Sequence, residues 1–105
     1  DGKRNSETSI NEKNNLLIAV SPGNFTEAKQ ILDYLRKMLS LNFELSESTN
    51  QSLIEGRTAD ISIKNKKIGY LGDINPKTLQ AFGINMPVSI IEISLEEIIK
   101  LFEHN

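Results

Sequence analysis

"TADISIKNKKIGYLGDI", residues 58–74, decides the fold. Ala59, Ile61 and Ile63 alternate with Asp60 and Ser62, the period-2 pattern of a half-buried strand. "KIGYLG" then follows the charged "KNK". Asn65 tolerates positive φ, so a tight hairpin turn is predicted near Asn65-Lys66. Strands joined by so short a turn pair antiparallel, because a parallel pair needs a long crossover.

Toward the C-terminus comes "DINPKTLQAFG". Asn75 is a natural N-cap, Pro76 suits the first helical position and Gly83 suits a left-handed stop. These signals predict a helix of about two turns. "VSIIEISL", residues 88–95, reads as a strand with Ile91, Ile93 and Leu95 on one face. Ser94 and Glu97 form a capping-box pattern that opens a last helix carrying Ile98, Leu101 and Phe102.

Toward the N-terminus, "NFELSES" places Phe43 and Leu45 two apart, as in a half-exposed strand, and residues 49–52 read as loop. Before it, Ala28, Ile31, Leu32, Leu35, Met38 and Leu39 recur at helical spacing. Asn24 caps that helix with Glu27 three residues on. Lys29, Asp33, Arg36 and Lys37 take the other face. "LLIAVS", residues 16–21, is a buried strand ended by Pro22-Gly23. Residues 1–15 hold one aliphatic side chain, Ile10, too little apolar surface to offset ordering entropy. Residues 1–14 are therefore expected to be a flexible tail, linker or loop, and residues 15–105 the domain. The order β, α, β, hairpin, α, β, α predicts an α+β domain with helices packed on an antiparallel sheet.

Composition narrows the functions. The 105 residues suit one domain or a piece of a larger one. A net charge of −2 gives no general attraction for nucleic acid or an anionic membrane. Without cysteine there is no disulfide, thiolate metal site or cysteine nucleophile. No apolar run approaches the roughly 20 residues that span a bilayer.

A search for chemistry finds little. His104 stands alone beside the C-terminus. Glu96 and Glu97 are adjacent on a helix, so they do not face each other, and the helix dipole accounts for acids in a first turn. Asp60 and Asp73 flank the hairpin without a ligand cluster around them. Gly69 and Gly72 match neither phosphate-loop pattern, and close backbone approach or a bulge is the better account. Lys64, Lys66 and Lys67 make a basic tip without interleaved aromatics. Arg57, after Gly56 at the mouth of a strand, is the sharper candidate: a structural ion pair that fixes the strand's entry, or a fork for a carboxylate or phosphate. No catalytic, cofactor-binding or metal-binding residue is assigned. Ile98, Leu101 and Phe102 are the candidate interface residues.

These residues also carry a family pattern. Gly56-Arg57, Ala59, Ile61, Ile68-Gly69, Leu71-Gly72, Ile74, Pro76, Leu79, Phe82, Pro87-Val88, Glu92-Ile93 and Leu95 resemble, in order and spacing, the β subunit of phenylalanyl-tRNA synthetase, in the wording of its archaeal and eukaryotic branch. The upstream "NLLIAVSPGNFTEAKQILDYL" extends the resemblance over residues 15 to about 101. Glu55, Asn75 and Ile91 depart from it, where proline, histidine and phenylalanine are usual. The resemblance implies part of a module with the antiparallel fold of class II synthetases but without catalytic motifs. It implies a cytoplasmic α₂β₂ enzyme whose α subunit binds ATP, Mg²⁺ and phenylalanine and charges tRNA. The implied partners are the α subunit and the remaining β-subunit domains, with no membrane and no cofactor on this segment. A freestanding module that binds nucleic acid or a small ligand is the alternative.

Overall fold

The computed structural model describes residues 5–10, 15–48 and 53–103. The hairpin is present, with its turn one residue earlier than expected. Ile63 pairs with Lys66, so Lys64 and Asn65 form the turn, at φ 51° and 66°. Two central residues of positive φ match the right-handed twist of the strands they join. The shift has a cause in the returning strand. Ile61 pairs with Gly69 and Ser62 with Lys67, which leaves Ile68 as an extra residue. This bulge turns Ile68 into the core beside Leu71, although strict alternation would place residues three apart on opposite faces.

The hairpin strands are β4 (Leu53–Ile63) and β5 (Lys66–Ile74). With β1 (Asn5–Ile10), β2 (Asn15–Ser21), β3 (Glu44–Glu47) and β6 (Ser89–Ser94) they form a six-stranded sheet. Its order is β1-β2-β6-β5-β4-β3. Every neighbouring pair is antiparallel. Residues 5–10, expected to be tail or linker, form an edge strand instead, with Asn5 opposite Ser21 and Ile10 opposite Leu16. An edge strand bonds its backbone to one neighbour only, so it can form from a polar sequence that could build no core of its own.

Helix α1 (Phe25–Leu39) starts at Asn24, whose Oδ1 accepts from the Glu27 amide at 2.9 Å. It ends at Ser40 in the left-handed conformation, φ 54°. Helix α2 (Pro76–Ala81) is capped by Asn75, which accepts from the Lys77 amide at 2.9 Å. Helix α3 (Leu95–Glu103) is capped by Ser94, which accepts from the Glu97 amide at 3.2 Å. Helices α1 and α3 cover one face of the sheet. Ala28, Leu32 and Ile98 pack there against Ile18, Val20, Ala59, Ile61, Ile63, Leu71, Ile91 and Ile93. On the opposite face Leu17, Ala19, Tyr70, Ile90 and Glu92 stay half-buried. Ile98, expected at an interface, is thus part of the chain's own core. The helical phase turns it toward the sheet and leaves Ile99 exposed.

Candidate functional site

Four segments meet around Asp73. Leu53 pairs with Ile74 and Thr58 with Gly72, so residues 54–57 of β4 swing out opposite Asp73 alone. Gly56 makes this bend at φ 82°, a conformation open to glycine without a Cβ penalty. Arg57 follows. Its guanidinium Nη1 lies 3.9 Å from Asp73 Oδ2, and its side chain is 65% exposed. Asp73 is itself buried, and its Oδ1 accepts from the hydroxyl of Ser89, which is fully buried. The turn after β2 closes on the same place. The Gly23 amide donates to the Pro87 carbonyl at 3.1 Å. A Cβ on Gly23 would press on the Val20 carbonyl and the Ser89 hydroxyl.

This geometry joins the β4 bulge, the end of β5, the start of β6 and the β2–α1 turn. Arg57, expected at the mouth of a strand, lies inside one: β4 begins at Leu53, and Arg57 is the last of the four residues that swing out before the ladder resumes at Thr58. At 3.9 Å and largely in solvent, however, its contact with Asp73 is a loose ion pair and not a bidentate fork. The short link in the cluster is Ser89 to Asp73, between residues 16 apart that no sequence pattern connects. The glycines answer to packing. A Cβ on Gly69 would run into the Glu92 carbonyl, and one on Gly72 would lie 2.8 Å from the Arg57 carbonyl. Both allow strands to approach closely.

A second polar group lies on the open face of the sheet. Tyr70 donates its hydroxyl to Glu92 Oε1 at 2.9 Å, and Asn15 donates to Oε2 at 2.7 Å. Burial and then this bond to a carboxylate push the Tyr70 phenol up to about 12. Asp60 faces Lys67 at 3.3 Å. At the hairpin tip Lys66 reaches Glu97 at 2.5 Å, and Lys100 lies 3.6 Å from Glu97 and 3.7 Å from Glu96. The hydrogen bond from Lys66 holds the Glu97 carboxyl below its usual range. Glu96 and Glu97 thus act as partners for lysines. Among the described residues, no three His, Asp or Glu side chains converge to hold a metal. Leu101 is partly buried against the core, whereas Phe102 is 55% exposed. His104 lies outside the described residues.

The sequence model of the phenylalanyl-tRNA synthetase β-chain CLM domain matches residues 6–95. The chain belongs to this family. Curated relatives named phenylalanine–tRNA ligase β subunit agree. That of Thermococcus onnurineus is 38% identical over 93 residues, covering 87% of this chain and 16% of the relative. That of Archaeoglobus fulgidus is 36% identical over 90 residues, covering 82% and 16%. That of Methanococcoides burtonii is 34% identical over 95 residues, covering 87% and 18%. The CLM-family chain therefore spans about a sixth of the length of these relatives. The matched span begins within β1 and ends at the first residue of α3, so the β1 edge strand belongs to the family's domain. No helix among the described residues is long and apolar enough to cross a membrane.

Proposed function

We propose that this chain is a non-catalytic structural and subunit-interaction domain of a phenylalanine–tRNA ligase β subunit. It supports the ATP-dependent attachment of phenylalanine to tRNA by an α subunit, in a cytoplasmic enzyme. The sheet with helices on one face is read as a catalytic-like module of the class II type, and residues 54–95 carry the wording of the archaeal and eukaryotic branch. One observation carries the proposal. The side chains that a reaction centre would draw on are engaged with one another across the sheet: Asp73 with Ser89 and Arg57, Glu92 with Tyr70 and Asn15, and Glu97 with Lys66. Asp73 and Ser89 are moreover buried, and each of these contacts joins one element to another, so the groups brace the sheet.

ATP and Mg²⁺ belong to the α subunit in this reading, because the donor set here does not fit them. Asp60 and Glu92 share one face but each holds its own partner, and Lys66 and Lys67 of the hairpin tip are drawn toward Glu97 and Asp60. Capture of the cognate α subunit by the tagged chain tests the proposal. Capture is expected, without phenylalanine-dependent ATP–pyrophosphate exchange by the chain alone. Exchange above a mock preparation, or no capture at any concentration, would overturn it.

A further inference from the structure

The covered face of the sheet is unfinished at one edge. β3 ends the strand order, and among the described residues no strand pairs with its outer side. All four of its residues are exposed. Beside it lies a cleft of about 230 Å³ walled by Leu32, Phe43 and Leu45 and rimmed by Lys29, Asp33 and Arg36 of α1. Leu45 lies opposite Ile61, which is fully buried, yet Leu45 is 42% exposed. An aliphatic side chain in a core row that remains wet lacks a neighbour on its other side.

We infer that β3 is an acceptor edge for an extended segment of a partner polypeptide, an apolar residue flanked by lysine or arginine, which adds a seventh strand and sets its apolar side chain in the cleft of Leu32, Phe43 and Leu45. Free strand edges template such pairing, with backbone bonds for affinity and alternate side chains for specificity. Charge selects the occupant. β3 reads Glu-Leu-Ser-Glu and carries no cation. Strand alternation puts Leu45 and Glu47 on the cleft side and Glu44 and Ser46 on the other. An incoming strand thus meets a carboxylate at each end and an apolar position between. A second copy is disfavoured, because antiparallel pairing of β3 with itself sets Glu44 opposite Glu47 twice, and like charges directly opposite repel. The same carboxylates repel nucleic acid. This inference deepens the reading of the chain as a contact domain, on which it rests, by naming one contact and its chemistry.

The test uses the ¹⁵N- and methyl-labelled chain and a capped peptide with the core Lys-Thr-Val-Lys. Antiparallel alignment sets its lysines opposite Glu47 and Glu44 and its valine opposite Leu45. Amide shifts are expected at residues 43–47, with methyl shifts at Leu32 and Leu45. The double variant Glu44→Lys/Glu47→Lys changes only exposed side chains, and it should bind this peptide roughly tenfold more weakly. A Glu-Thr-Val-Glu peptide should bind that variant in its place. Shifts that miss β3, or affinities indifferent to the charge exchange, would overturn the inference. Capture of the α subunit is measured on the same wild-type chain. If capture persists while the peptide leaves β3 untouched, the acceptor edge is overturned and the contact-domain reading stands.

Discussion

Replacing Arg57 and Asp73 separately should give unequal losses of stability, although the two side chains form one ion pair. The charges are 3.9 Å apart and the guanidinium is 65% exposed. Two unit charges at that separation attract by about 1 kcal/mol in water, before the entropy of holding the arginine is subtracted. Arg57→Ala should therefore cost less than about 1 kcal/mol, and most of that should vanish in about 0.5 M salt. Asp73 differs because it is buried and accepts from the fully buried Ser89 hydroxyl. Asp73→Ala leaves that hydroxyl without its acceptor, at a cost of about 1–3 kcal/mol that salt does not screen. Asp73→Asn keeps an acceptor oxygen and should recover part of the loss. Urea unfolding of the four chains at two salt concentrations gives these numbers. A loss above about 2 kcal/mol for Arg57→Ala, or a larger loss for Arg57→Ala than for Asp73→Ala, would refute the reasoning. It would show the guanidinium, and not the serine hydroxyl, to be the partner that the buried carboxylate depends on.

Three further outcomes follow from contacts elsewhere. Gly69→Ala sets a Cβ against the Glu92 carbonyl, where backbone meets backbone and no rotamer relieves the clash. It should lower stability by about 3 kcal/mol, the upper end of overpacking costs, as read from its urea midpoint. Glu97 is held below its ordinary value of 4.5 by Lys66. A depressed carboxylate contributes stability that is present above the unfolded value and lost as pH falls through the folded one, so Lys66→Met should flatten this part of the acid limb and leave neutral-pH stability less salt-sensitive. A plot of midpoint against pH that is identical in the two chains would contradict the pairing. Ile98→Ala should cost about 2–5 kcal/mol as a core truncation, whereas Phe102→Ala should stay within about 0.5 kcal/mol, both by thermal or urea unfolding. Equal losses would mean that the phase of α3 is misread.

Local chemistry was legible wherever the determinants lie within a few residues. Asn24, Asn75 and Ser94 cap their helices, and each cap needs only the amide two or three positions on. The alternation of Ala59, Ile61 and Ile63 likewise places all three in the core. Failures came where a second strand supplies the reason. Ile68 and Leu71 share the core because a bulge sits opposite Ile61 and Ser62; Gly69 beside it leaves a bulge or a close approach open, and only the ladder puts the extra residue at Ile68. The beginning of β4 is unassigned from the sequence, because residues 53–57 carry no alternation and only the ladder from Leu53 to Ile74 shows that the strand starts there.

The same distinction explains why the polar clusters were not foreseen. Asp73 and Ser89 are 16 residues apart, Tyr70 and Glu92 are 22 apart, and Asn15 and Glu92 are 77 apart. None of these spacings is periodic; each is set by the register of β6 against β5 or β2. Register in turn follows from the apolar rows, because a slip of one residue would turn Ile91 and Ile93 out of the core. The core therefore fixes which polar side chains meet, and Asp73 lands opposite Ser89 as a consequence of Leu71 lying opposite Ile91. An exposed residue escapes this logic. The orientation of Arg57 is set by the bend at Gly56 and not by a row of the sheet, which is why its position in the sequence suggested a role whose strength only the distance to Asp73 could decide.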